Sequence, residues 1–359
     1  MRMLLLWGVT IAVGLAVGTL GAFAQVAQDR SGRIVELETP APSLGGNLLG
    51  TPSTQNVAIY LPPGYDQQPD ARFPVVYLLH GIFDDYGVWL ENYDVPAILD
   101  RLIARERLEP LIAVMPNGGN RYGGGYYRNS AVSGNWADYI TDDLVGFVDA
   151  NFRTLASPES RAVIGHSMGG YGAVHLAMAH PGIFSVVWAM SPCCLAPTED
   201  LGFGNDAWRR ASTVKDQNDI QAFIDRRDFY PIAILGIVTA FSPAPNREPV
   251  YGHFPFEIVR GEVVLDDQTF DAYADVFPTR QVRSARANLR DLRGLGLGVG
   301  LGDQFLHIPA GTLDLSQRLG EERVPHQLDV YAGDHRQHIG DRLEKTVLPW
   351  VGARLDFEE

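Results

Sequence analysis

Residues 161–180 read RAVIGHSMGGYGAVHLAMAH, and this stretch decides the fold. Arg161 to Gly165 is a short apolar run of the kind a buried parallel strand requires. Met168 to His180 has helical character. Between them stands Gly165-His166-Ser167-Met168-Gly169, a G-x-S-x-G pentapeptide with further glycines at 170 and 172. Alone the pattern is weak, because it also describes an ordinary glycine–serine turn. Joining a strand directly to a helix makes it specific, since that is the setting of a nucleophile elbow. Glycines two before and two after the serine relieve the crowding of so tight a turn. The serine oxygen is then left above the sheet. The helix N-terminus behind it offers an unpaired N–H and the positive end of a dipole.

The same strand–helix rhythm extends outward in both directions. Strands are expected at Asn56–Leu61, Pro74–Leu79, Leu111–Met115, Phe184–Met190, Leu295–Leu301 and His326–Tyr331. Helices are expected at Val95–Glu106, Trp136–Phe152, near Asp314–Leu319 and at Ile339–Leu355. Alternating strands and crossover helices predict an α/β fold with a mostly parallel sheet covered on both faces. Residues 195–290 break the rhythm. They carry the apolar run FYPIAILGIVTAF (Phe229–Phe241) and then a Pro- and aromatic-rich stretch. So long an interval is too long for a plain loop. It reads as a mostly helical insertion, either a lid over a substrate pocket or an excursion with its own small core.

The chain has 359 residues, with 29 Lys+Arg against 43 Asp+Glu and a formal charge of −14. No basic cluster interrupts the acidic balance, which argues against nucleic acid as a partner. Residues 1–24 combine Arg2, an apolar run from Leu4 to Leu20, and Ala22-Phe23-Ala24. This is the pattern of a signal peptide cleaved after Ala24, hence of a secreted or periplasmic protein without stable membrane insertion. The competing reading is an uncleaved anchor. Residues 25–54 are expected to be an N-terminal extension and 55–359 the main domain. The two cysteines, Cys193 and Cys194, are adjacent and cannot staple distant segments.

A serine nucleophile needs a base, because its hydroxyl barely ionises at neutral pH. Of nine histidines, His335 and His338 follow the strand at 326–331 on a loop entered through Gly333. His335 is the expected base and His338 its rival. As a pair they could instead hold a metal, but no further ligands complete such a site, and no cofactor is expected. Asp303, after the strand near 295–301, is the expected orienting acid, with Asp291 the weaker rival. The backbone N–H groups of Met168 and Ile82 are expected to form an oxyanion hole, Gly81 giving the turn its freedom. His80 is expected to be a structural anchor. Tyr126, Tyr127 and Trp136, in and beside a Gly- and Tyr-rich loop, are expected to contact substrate.

The LLHG element (Leu78–Gly81) with Trp89 downstream, the run YYRNSAVSGNWADYITDDLVGFVDANFRT, the elbow GHSMGGYGA and the late Gly-x-His resemble the esterase D family of α/β hydrolases. That family includes feruloyl and acetyl xylan esterases, S-formylglutathione hydrolases and mycolyltransferases. The resemblance covers residues 55–195 well and 290–350 more loosely. It implies an α/β-hydrolase fold and assigns Ser167, Asp303 and His335 as a triad, with the Ile82 and Met168 amides as oxyanion donors. Many relatives carry Trp shortly after the catalytic histidine, where this chain has Arg336 and Gln337. The implied activity is hydrolysis of a small-molecule or polysaccharide-linked ester without cofactor. Acyl transfer to an alcohol acceptor is the alternative, and a catalytically inert carbohydrate-binding protein is a further one.

Overall fold

A computed structural model describes residues 31–260, 262–265 and 267–358. The expected signal peptide, residues 1–24, lies outside the described residues.

Eight strands form one sheet: β1 (Arg33–Pro40), β2 (Thr54–Leu61), β3 (Val75–Leu79), β4 (Ile112–Pro116), β7 (Arg161–His166), β8 (Val186–Met190), β11 (Gly294–Gly300) and β12 (Gln327–Tyr331). Their spatial order is β1-β2-β4-β3-β7-β8-β11-β12. β1 and β2 pair antiparallel, as do β2 and β4. Every pairing from β4 onward is parallel. Two small ladders lie apart: β5 (Asn129–Ser130) with β6 (Gly134–Asn135), and β9 (Phe256–Val259) with β10 (Glu262–Leu265).

The central strands are mostly apolar because both faces are covered, with Arg161 and His166 only at the ends of β7. On one face Tyr77, Val114, Val163 and Val187 meet helix α2 (residues 136–151) and helix α3 (Met168–Ala179). On the other, Val76, Met115, Ile164 and Trp188 meet α1 (Val95–Ala104) and the C-terminal helical segment. Alternate residues of each strand thus enter different cores. Helix α3 is buried on all sides from Met168 to Met178, so it is apolar all round rather than amphipathic.

Between β8 and β11 the chain makes the insertion. Helices α4 (Asp206–Ser212), α5 (Gln217–Asp225) and α6 (Phe229–Phe241) are followed by the β9–β10 hairpin and helix α7 (Asp267–Ala274). It is mostly helical, as expected, with a hairpin that the sequence did not announce. Every residue of α6 from Pro231 to Phe241 is buried. Its inner side is stitched to the Gly- and Tyr-rich loop, where the Tyr126 hydroxyl donates to the Ala233 carbonyl (3.1 Å) and the Ser130 hydroxyl to that of Thr239 (2.6 Å).

The N-terminal boundary differs from expectation. Residues 33–40 are an edge strand, paired with β2 from Arg33–Leu61 to Pro40–Thr54. The signal was weak because an edge strand packs on fewer neighbours, and β1 is only partly buried.

Candidate active site

Ser167 sits where β7 turns into α3, with φ 57° and ψ −116°. A non-glycine residue so placed costs on the order of 1–3 kcal/mol and persists only where its surroundings hold it. Here the Ser167 N–H donates to the Met190 carbonyl (2.9 Å), and the Ser167 carbonyl accepts from Tyr171 and Cys193 N–H (3.0 and 3.1 Å). Two glycines make room. A Cβ on Gly165 would overlap the Gly169 carbonyl, and one on Gly169 would overlap the Leu79 carbonyl.

Asp303 and His335 come from the loops after β11 and β12. The Asp303 carboxylate is fully buried, and its Oδ2 lies 2.7 Å from His335 Nδ1. Oδ1 accepts from the Phe305 N–H at 2.9 Å. An ionised carboxylate only accepts, so Nδ1 of the neutral ring carries the proton and Nε2 presents a lone pair. The His335 loop is tied to the elbow itself. His166 Nε2 donates to the His335 carbonyl (2.9 Å), and the two rings lie 4.7 Å apart. Burial holds His166 well below the usual imidazole range, helped by the neighbouring His335.

Ser167 and His335 line one cavity of about 250 Å³, together with Gly81 and Ile82. Gly81 is so close to the elbow that a Cβ there would stand 3.3 Å from the serine Cβ. The Phe83 N–H donates to the Gly123 carbonyl (2.9 Å), which fixes the turn carrying Ile82. Met168 is the first residue of α3, where an N–H has no intrahelical partner. Buried His80 bridges its own loop: Nδ1 donates to the Gly81 carbonyl (2.7 Å), and Nε2 accepts from the Gly118 N–H (2.8 Å).

The structure therefore brings Ser167, Asp303, His335, Ile82 and Met168 to one place. The rivals lie elsewhere. His338 is largely exposed, 3.7 Å from Asp341, and Asp291 is exposed at the end of a helical turn. Of the aromatic residues expected against substrate, Tyr126 lines the cavity, but Tyr127 and Trp136 do not. Both are fully buried core residues: Tyr127 donates to the His80 carbonyl (3.2 Å) and Trp136 Nε1 to that of Ser133 (2.8 Å). Large aromatics beside glycines fill space that Gly125 and Gly172 leave open, which explains their composition without a ligand.

The rest of the cavity wall comes from residues that the sequence did not single out one by one, although the run Phe229–Phe241 lies in the segment read as a lid or an excursion. The insertion contributes Leu201, Phe229, Tyr230, Ala233 and Ile237 to the wall, and Cys193 and Cys194 line it behind the serine. Both cysteines are free and buried, with sulfurs 2.6 Å apart. Asp200 and His307 form a second carboxylate–imidazole contact, 2.8 Å long, and His307 also faces the cavity. Their separation of 107 residues leaves no local pattern to read. A second cavity of about 640 Å³ adjoins the first across Phe229, whose ring belongs to both linings. Among the described residues no cluster of His, Cys, Asp and Glu is arranged to hold a metal ion.

Comparison with known proteins agrees with this architecture. An esterase of Mycobacterium tuberculosis is 35% identical over 216 residues, which are 53% of this chain and 43% of the relative. The chain thus spans less than half the length of that protein. Among solved structures, a ferulic acid esterase superposes with a TM-score of 0.63 at 19% identity, covering 90% of this chain and 99% of the other. A fluorophosphonate-binding serine hydrolase of Staphylococcus aureus superposes at 0.59 with 20% identity and the same coverage. At such identities the likeness is one of fold: the central sheet and its helices are those of an α/β hydrolase. A family model described as "Putative esterase" matches residues 50–339, and the chain belongs to that family.

Proposed function

We propose that the protein is a serine carboxylic-ester hydrolase working through a covalent acyl-enzyme. The observation that carries this reading is the 2.7 Å contact of buried Asp303 with His335, on the cavity that Ser167 lines from a strained turn. His335 Nε2 takes the Ser167 proton as the hydroxyl oxygen attacks the ester carbonyl. The tetrahedral oxyanion accepts hydrogen bonds from the Ile82 and Met168 N–H groups. His335 then protonates the departing alcohol, leaving an acyl-serine. Water, deprotonated by the same imidazole, attacks that ester; the bond to Ser167 Oγ then breaks, the imidazolium returns its proton to that oxygen, and the acid is released. Asp303 holds the imidazole tautomer and stabilises the imidazolium in both halves. Nothing in this route calls for a cofactor or a metal.

Membership of the esterase family supports hydrolysis, and the similarity to a ferulic acid esterase is compatible with a small or polysaccharide-linked ester as substrate. The N-terminal pattern supports export to the periplasm or beyond. No helix among the described residues is long and apolar enough to cross a membrane. A second reading, acyl transfer to an alcohol acceptor, is favoured by the larger cavity beyond Phe229, which offers room beside the acyl-enzyme. An inert carbohydrate-binding role would leave the Ser167, His335 and Asp303 set without use.

The test is Ser167→Ala with p-nitrophenyl acetate and butyrate, together with fluorophosphonate labelling. Turnover should vanish in a folded variant, and the label should attach to wild-type Ser167 stoichiometrically. Undiminished turnover in the variant would overturn the assignment. Acylated glycerol or sugar, formed when these are added as acceptors, would favour the transferase reading.

A further inference from the structure

The cavity holds two imidazole–carboxylate pairs, and the mechanism uses one. In the second, His307 Nδ1 lies 2.8 Å from Asp200 Oδ1, and the imidazole is only 6% exposed. Asp200 is itself firmly placed. It accepts from the backbone N–H of His307 (2.7 Å) and of Leu306 (3.1 Å), and from the Tyr230 hydroxyl. With Nδ1 of the neutral ring donating to a carboxylate, Nε2 carries the lone pair. No protein group among the described residues hydrogen-bonds that nitrogen, and the ring lines the cavity. That nitrogen is therefore open to a donor entering the cavity, and a hydrogen bond there would replace the one it gives up to water.

The neighbours narrow what that partner is. The Phe305 ring stands between the two histidines, with its centroid 5.0 Å from that of His335 and 6.3 Å from that of His307. Phe229 stacks on Phe305 at 5.1 Å. His307 therefore lies one phenyl ring away from the expected base, among apolar walls formed by Ile237, Ile308 and Leu201. An acceptor nitrogen in such a wall suits a neutral O–H donor on the substrate; the Arg336 guanidinium that also lines the cavity is engaged by the Asp84 carboxylate.

We propose that His307, oriented by Asp200 and Tyr230, is a specificity residue that accepts a hydrogen bond from a hydroxyl group of the ester substrate, placed beyond the reacting carbonyl. This rests on the esterase reading above. The hydroxyl could belong to the acyl chain or to the alcohol, so the experiment has an arm for each.

In the acyl arm, kcat/KM is compared for p-nitrophenyl hexanoate and 6-hydroxyhexanoate. In the alcohol arm, butyl acetate is compared with the monoacetate of butane-1,4-diol. Wild type should prefer the hydroxylated member in one arm by roughly tenfold, the magnitude of one hydrogen bond. His307→Leu should bring that ratio to about one, and His307→Gln, which keeps an acceptor, should restore part of it. The ratio is insensitive to how much protein is folded, so partial misfolding does not hide the answer. Equal rates within both pairs in wild type, or an unchanged ratio in His307→Leu, would overturn this inference alone. Loss of all turnover in both variants would also overturn it, because His307 would then be acting on the chemistry. Wild type inert to all four esters and to fluorophosphonate would be a failure of the esterase reading, and this inference would fall with it.

Discussion

Arg336 clips two loops of the candidate active site together: its Nη2 donates to both carboxylate oxygens of Asp84, at 2.9 and 2.8 Å. Asp84 lies two residues beyond Ile82, and Arg336 directly follows His335. The pair thus links the loop carrying the expected oxyanion donor to the loop carrying the expected base. About half of the Arg336 side chain is exposed, so the contribution to stability is small, under ~1 kcal/mol. Its effect on positioning is larger, because small displacements of reacting groups are costly. Asp84→Asn should lower kcat/KM by roughly 3–10-fold while barely moving the urea midpoint. Unchanged kinetics would show that the clip does not position the site.

His335 and His338 should separate cleanly. His335→Ala removes the imidazole held by Asp303 and should cost about 10³-fold or more in kcat. His338→Ala removes a largely exposed side chain and should leave turnover near wild type. Steady-state kinetics of the two variants decides, and the reverse pattern would transfer the role of base to His338.

Trp136 should behave as a core residue. Trp136→Ala should destabilise the fold by about 3–5 kcal/mol, read from denaturant unfolding. The KM of the protein that remains folded should not change. A KM effect without loss of stability would return Trp136 to the substrate site.

Asp200 links stability to acid. Burial alone would raise its carboxyl, but hydrogen bonds from His307 and Tyr230 outweigh that and hold it at about 2. An unfolded carboxyl titrates near ~3.9. A depressed folded value means stability that is full above the unfolded value and lost as pH falls through the folded one. The urea midpoint of wild type should therefore drop between about pH 4 and pH 2. Asp200→Asn should start lower and show a shallower fall, and parallel curves would refute the linkage.

The two thiols should react slowly while the protein is folded. Burial, reinforced by the hydrogen bond with Cys193, pushes the Cys194 thiol well above its ordinary value, and only a thiolate attacks efficiently. Ellman's reagent at neutral pH should titrate little in the native protein and two thiols after unfolding in urea. Fast native labelling would contradict the buried dithiol.

Much of this architecture was legible because the relevant signals are local. The fully buried strands β3, β4 and β8 are unbroken apolar runs, as is β7 between Arg161 and His166, and the elbow is a contiguous pentapeptide between strand and helix. The spacing from Asp303 to His335 is that of one crossover unit. What the sequence hid is non-local. β1 is an edge strand that shows only half of an alternation. Trp136 and Tyr127 sit among glycines, where a flexible loop and a tightly packed core have the same composition. Asp200 and His307 meet only because the insertion folds back across the mouth of the sheet. Arg336 gave no hint that Asp84 would be its partner.

Phe229 is the first residue of the longest helix of the insertion, yet its ring forms part of the wall of both cavities. The residues proposed to react, by contrast, stand on turns leaving the sheet, and around Ser167 the backbone packs too closely to admit a methyl group at Gly165 or Gly169. The two sets of residues thus stand on separate parts of the chain. A substitution at Phe229 would resize or join the two chambers through one aromatic side chain, with the residues proposed to react left in place. Substrate choice and bond breaking would then be adjustable independently.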